Sequence, residues 1–107
     1  MAGVFSLKAA PVPLTGKQRR KLRSLGHHLE AVVHVGHQGV TPALVAATEQ
    51  ALYDHELIKV KVADTSPEER REAAAHLARE TGAELAQVLG RTALLFKPRP
   101  EKSKIEL

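Results

Sequence analysis

An α/β fold is predicted by three features of this 107-residue chain. Short β-branched runs alternate with longer segments of helical periodicity. Helix-start signals precede each helical segment. Near the C-terminus, two apolar runs flank the pair Gly90-Arg91. This alternation favours parallel strands joined through helices, and the last pair reads as an antiparallel hairpin. The predicted order is α-β-α-β-α-β-β, a single compact domain with a four-stranded mixed sheet and packed helices.

Each element has a local reason. Thr15 and Gln18 have the spacing of a capping box, so a helix starts there. Its apolar stripe is Leu22, Leu25 and Leu29, and Gly26 lies near its end. Ala31 to Val35 is a β-branched strand followed by a tight loop, Gly36-His37-Gln38-Gly39. Thr41 and Pro42 supply an N-cap and an N1 proline for a second helix that runs to about His55. Leu44, Thr48, Ala51 and Leu52 share one side of it. Leu57 to Val62 alternates, with Ile58, Val60 and Val62 inward and Lys59 and Lys61 outward. Ser66, Pro67 and the acids Glu68 and Glu69 form another start signal. The third helix buries Ala74, Leu77, Ala78 and Thr81, and Gly82 stops it. Ala86 to Leu89 and Thr92 to Phe96 are the closing strands. Residues 1–13 read as a flexible leader, residues 14–98 as the folded domain, and residues 99–107 as a polar tail.

Composition narrows the function classes. Cysteine is absent, which removes disulfides, thiolate metal sites and a cysteine nucleophile. No apolar run is long enough to span a bilayer, and the N-terminus lacks the pattern of a signal peptide. The expected location is cytoplasmic. The six histidines show no metal-ligand spacing, so neither a metal nor a cofactor is expected. Nothing assembles a nucleophile, a base and an oxyanion donor, so an enzyme is not expected.

The charge of +4 is mild, but its distribution is informative. Thr15 to Leu29 holds five basic residues, Lys17, Arg19, Arg20, Lys21 and Arg23, and no acid. Asp64 to Glu84 holds six acids and three arginines, and the chain after Arg91 is basic again. Like charges this dense repel one another unless they face a polyanion. The glycine loop adds a second signal. Two glycines around two residues let a foreign backbone approach closely, and a GXXG loop clamps the sugar–phosphate backbone in KH-type RNA-binding domains. A plain strand-to-helix turn explains the same four residues. A solvated face would likewise explain the first helix, and edge protection would explain Lys59 and Lys61. With only one Tyr and two Phe, an aromatic stacking platform is not expected. A helix-turn-helix reading fails, because a strand and the glycine loop separate the first two helices.

Five segments taken together resemble the CRM domain (chloroplast RNA splicing and ribosome maturation), in its bacterial single-domain YhbY form. They are residues 14–29 (LTGKQRRKLRSLGHHL), 33–41 (VHVGHQGVT), 55–62 (HELIKVKV), 79–82 (RETG) and 88–92 (VLGRT). The resemblance implies a fold related to the C-terminal domain of bacterial initiation factor three. It also implies an RNA-binding protein, with ribosomal RNA and large-subunit precursor particles as partners; a monomer is expected. The RNA contacts it implies are Lys17, Arg19, Arg20, Lys21 and Arg23 on the first helix, and Gly36, His37, Gln38 and Gly39 in the loop. Arg91 in the hairpin turn joins them as a candidate. The loop departs from a cationic pattern, since His37 and Gln38 carry no fixed charge. Backbone amides and the polarity of the next helix's N-terminus are therefore expected to carry more of the contact than side chains. The alternatives are a protein-interaction adaptor working through the acidic second and third helices, a non-ribosomal nucleic-acid-binding module, and a small hydrolase.

Overall fold

The computed structural model describes residues 14–105 and 107. The segment expected to be a flexible leader, residues 1–13, lies outside the described residues. The elements are α1 (Gly16–Gly26), β1 (Ala31–Val35), α2 (Pro42–His55), β2 (Leu57–Val62), α3 (Arg70–Thr81), β3 (Glu84–Leu89) and β4 (Thr92–Phe96). Their order is the predicted one. The sheet runs β1-β2-β4-β3. β1 and β2 are parallel, and β4 is antiparallel to both β2 and β3. The chain therefore leaves β2, crosses through α3 to the far edge, and turns back at Gly90-Arg91 to fill the gap with β4.

Helices cover both faces of this sheet. On one face α2 and α3 bury Val33, Val35, Ile58, Val60, Val62 and Leu95 against Leu52 and Leu77. On the other, Leu22 of α1 packs with Leu57, Ala86, Leu94 and Phe96. This second layer explains why Leu57 is buried although it falls out of phase with Ile58, Val60 and Val62.

The helix starts follow the local chemistry, with one correction. The Thr15 capping box forms in both directions: Gln18 N–H donates to Thr15 Oγ1 at 3.1 Å and Thr15 N–H to Gln18 Oε1 at 3.0 Å. Thr41 accepts from Leu44 N–H at 3.1 Å. Ser66 and Pro67, however, do not start α3. The Ser66 hydroxyl donates to the Glu68 carbonyl at 2.8 Å and so closes a local turn. The cap is Glu69, whose carboxylate accepts from Glu72 N–H at 2.9 Å. β3 also begins two residues before Ala86, at Glu84, with a bulge between Leu85 and Gln87.

The stripe expected on α1 is narrower than Leu22, Leu25 and Leu29. Leu22 is fully buried, but Leu25 and Leu29 remain 46% and 37% exposed. The helix lies on a Leu22–Gly26 ridge instead. A Cβ placed on Gly26 would sit 2.7 Å from both methyl carbons of Leu94, so the missing side chain lets the helix end come down on β4.

The segment after β4 returns to the domain. Glu56, at φ +65 between α2 and β2, has a fully buried side chain. Its carboxylate accepts from Arg99 N–H at 2.8 Å, from the Ser103 hydroxyl at 2.6 Å and from Lys104 N–H. Burial pushes its pKa up. The Ser103 hydroxyl, the two amides and the Arg99 guanidinium outweigh that and hold it below the ordinary glutamate value. Ile105 then packs onto the cluster around Leu22.

Candidate nucleic-acid interface

The loop after β1 and the hairpin turn before β4 share one end of the sheet. β1, β2 and β3 all run toward that end. Ala63 N–H donates to Val35 O at 2.9 Å and Val62 N–H to Arg91 O at 2.7 Å, which ties the three chain segments together.

Gly36 to Gly39 closes a tight turn, with Gly39 N–H donating to Gly36 O at 3.0 Å. His37 and Gln38 stand exposed at its tip. The two glycines are there for different reasons. Gly39 is buried at φ +73, where an L side chain is strained, and its missing Cβ faces Pro67 at 3.4 Å. Gly36 is half-buried, and a Cβ added there would meet nothing within 4 Å. Its φ is not positive. Neither a positive φ nor packing within the described residues accounts for Gly36. A shallow cleft of about 190 Å³ joins this loop to His34 and to Thr41 at the start of α2.

The cations of α1 divide into two groups. Lys17, Arg20, Lys21 and Arg23 are exposed. Arg19 is turned inward: its Nη1 donates to Leu85 O at 2.7 Å, and its Nη2 lies 4.0 Å from Glu84 Oε1. Arg19 thus occupies a backbone acceptor on the outer edge strand of the sheet. Arg91 pairs with Asp64 at 2.6 Å, both side chains being more than half exposed. Such a surface pair is weak enough to exchange for another anion.

Between α1 and the loop, the sheet face carries charge that is absent from the helix-and-loop set. His34 pairs with Lys61 and Lys61 with Thr92 across β1, β2 and β4, all on the α1 side. Lys59 lies two residues back on the same side. A period-two reading shows Lys59 and Lys61 pointing away from the α2–α3 core. Only the tertiary arrangement puts them between Arg23 and the glycine loop, because α1 covers the other half of this face. Among the described residues, no group of three or more His, Asp or Glu side chains is placed to hold a metal ion. No helix of the described residues is long and apolar enough to cross a membrane.

The comparisons with known proteins identify the domain. Residues 14–97 match the CRS1/YhbY (CRM) domain. The chain is 42% identical to an "RNA-binding protein" of Haemophilus influenzae over 88% of its length and 94% of that relative. It is 39% identical to the "Probable RNA-binding protein YqeI" of Bacillus subtilis, over 88% of this chain and 98% of that one. Among solved structures, a hypothetical protein of Staphylococcus aureus is similar with a TM-score of 0.76 at 35% identity, covering 89% of this chain and 99% of that one. With the match spanning the whole sheet and all three helices, the chain belongs to the CRS1/YhbY (CRM) domain family.

Proposed function

We propose that this protein binds RNA, and that its target is ribosomal RNA in precursors of the large ribosomal subunit. The protein acts as a cytoplasmic monomer over residues 14–98, and no catalytic step is required of it. Cations on α1 supply affinity that falls with salt, because each phosphate contact releases condensed counterions. The Gly36–Gly39 loop positions one stretch of backbone with little sequence information. The relatives named as RNA-binding proteins support this reading.

The observation that carries it is Gly36. A residue with open space at its Cβ position and no positive φ could be almost any amino acid as far as this chain is concerned. Glycine there leaves room for a backbone arriving from outside. Lys61, opposite His34 at the loop end of the sheet, and the exposed cations of α1 beyond it supply the complementary charge.

Co-sedimentation with large-subunit precursor particles across a salt series, with and without RNase, tests the assignment. Binding that weakens steadily with salt and disappears after RNase is expected. Binding indifferent to RNase would favour a protein partner on the acidic α2–α3 side and would sink the RNA reading.

A further inference from the structure

A separate recess lies between the C-terminal end of α1 and the sheet, with a volume of about 140 Å³. Its floor is Gly26 and Leu94, both buried, with the backbone of Ala93, whose side chain faces the other side of the sheet. Its walls are Arg23, Lys59 and Gln87. None of its lining residues is acidic. We propose that this recess is a nucleobase subsite, in which one base of a bound RNA strand lies over the Gly26–Leu94 floor with the Arg23 guanidinium against its face. The proposal rests on the RNA-binding reading and adds to it a contact to a base where that reading has only phosphate contacts.

The chemistry follows from the lining. A base has an apolar face and a polar edge, and this recess has an apolar floor and a polar wall. The chain has almost no aromatic side chains to stack on, but a guanidinium plane serves the same purpose. Among the described residues Arg23 makes no hydrogen bond or ion pair, so its plane is uncommitted, unlike that of Arg19. Gln87 offers both a donor and an acceptor to a base edge. It reaches the recess because the bulge in β3 sets it opposite Leu94. Lys59, opposite Leu94 from the other side in β2, is placed to meet the phosphate of the same nucleotide. The absence of a side chain at Gly26 brings the end of α1 down onto Leu94, which closes the floor. Thr92 lines the recess and begins the Thr92–Lys61–His34 row, which crosses two strand spacings, about 10 Å, toward the strand that carries the glycine loop.

The test uses the full chain and four ten-nucleotide homopolymers, rA, rC, rG and rU, with an abasic ribose–phosphate oligomer of the same length. Binding is read by fluorescence anisotropy at several salt concentrations. The parent should bind at least one homopolymer about fivefold or more tighter than the abasic oligomer, the low end expected for one stacked base. Arg23→Lys keeps the charge and removes the plane. It should abolish most of that difference while weakening abasic binding far less and keeping the salt slope, since the charge remains. Gln87→Ala should change the ranking of the four homopolymers. The subsite is overturned if the parent binds the abasic oligomer as tightly as the best homopolymer, or if Arg23→Lys weakens all oligomers equally. Should Gly36→Asp weaken RNA binding while Arg23→Lys and Gln87→Ala are both silent, the subsite falls and the RNA reading stands. If the parent binds none of the oligomers, both fall.

Discussion

Nη1 of Arg19 donates to the carbonyl oxygen of Leu85 at 2.7 Å, which fastens the first helix to the outer edge strand of the sheet. In sequence Arg19 is one of five equivalent cations; in the fold it is a clamp. A charge-assisted bond to a half-buried carbonyl stabilises by more than an exposed cation does. Arg19→Gln should therefore lower the melting temperature, by about 1–2 kcal/mol of stability, with a smaller effect on the salt dependence of RNA binding.

The double variant Lys17→Gln, Arg20→Gln should do the reverse. Both side chains project from α1 away from the Leu22–Gly26 ridge, so the melting temperature should stay near that of the parent. The log–log slope of affinity against salt should fall by roughly 0.7–0.9 for each phosphate contact removed. An unchanged slope would take α1 out of the RNA interface.

Gly26 gives a test of packing that is independent of RNA. A Cβ there would overlap the buried Leu94 side chain at 2.7 Å, and Leu94 could give way only by closing the recess beside it. Gly26→Ala gains helix propensity but should still destabilise, by about 1–3 kcal/mol as for other overpacked cores. Shortening the neighbour, in Gly26→Ala with Leu94→Val, should recover part of the loss. Measured by urea unfolding, full additivity of the two single changes would show that the contact between them is not the cause.

Features set by residues close in sequence were the legible ones. The Thr15 and Thr41 caps, the Gly82 stop at φ +72 and the Gly90-Arg91 turn each depend on neighbours within a few positions. What escaped depends on distant partners. Periodicity alone cannot tell that Leu25 and Leu29 lie beside the contact, because the pivot is a glycine facing Leu94. Ser66 has the right residue type for a cap, but its hydroxyl bonds Glu68 O instead. Glu56 resembles any acid at a helix end until the chain from Arg99 to Lys104 returns to it. For the candidate site, the loop and the helix charges were legible as motifs, whereas the position of Lys59 and Lys61 between them requires the sheet.

Glu56 predicts a pH dependence of stability. Its pKa is lowered in the folded protein, so the carboxylate stabilises the fold above the ordinary glutamate value, about 4.3, and that contribution is lost as the pH falls through the folded value. Glu56→Gln removes the charge that the Arg99 and Lys104 amides and the Ser103 hydroxyl point at. It should destabilise by about 2–3 kcal/mol near neutral pH. The gap between parent and variant should narrow steadily on acidification below about pH 4.3. Thermal unfolding of both proteins from pH 7 to pH 3 checks this. A gap that stays constant would mean that Glu56 acts through the shape and hydrogen bonding of its side chain rather than its charge.

The two loop glycines separate a turn from a clamp, because the structure makes different demands on them. Gly39 is needed by the fold: at φ +73, against Pro67, a side chain is strained wherever RNA binds. Gly39→Ala should cost roughly 1–2 kcal/mol of stability, and its effect on RNA cannot be read apart from that loss. Gly36 is not needed by the fold, since a Cβ there enters open space at an ordinary φ. Gly36→Asp should keep a melting temperature within a degree or two of the parent, because surface changes of this kind shift stability by less than about 0.5 kcal/mol. Its carboxylate would meet an incoming phosphate backbone both sterically and by charge. RNA affinity should fall severalfold or more, most strongly at low salt, where the Debye length is longest. Gly36→Ala isolates the steric part and should give a smaller loss with no added salt dependence. If Gly36→Asp binds RNA as the parent does at low salt, the loop is only a turn, and the interface must lie on α1 and the Lys59–Lys61 face alone.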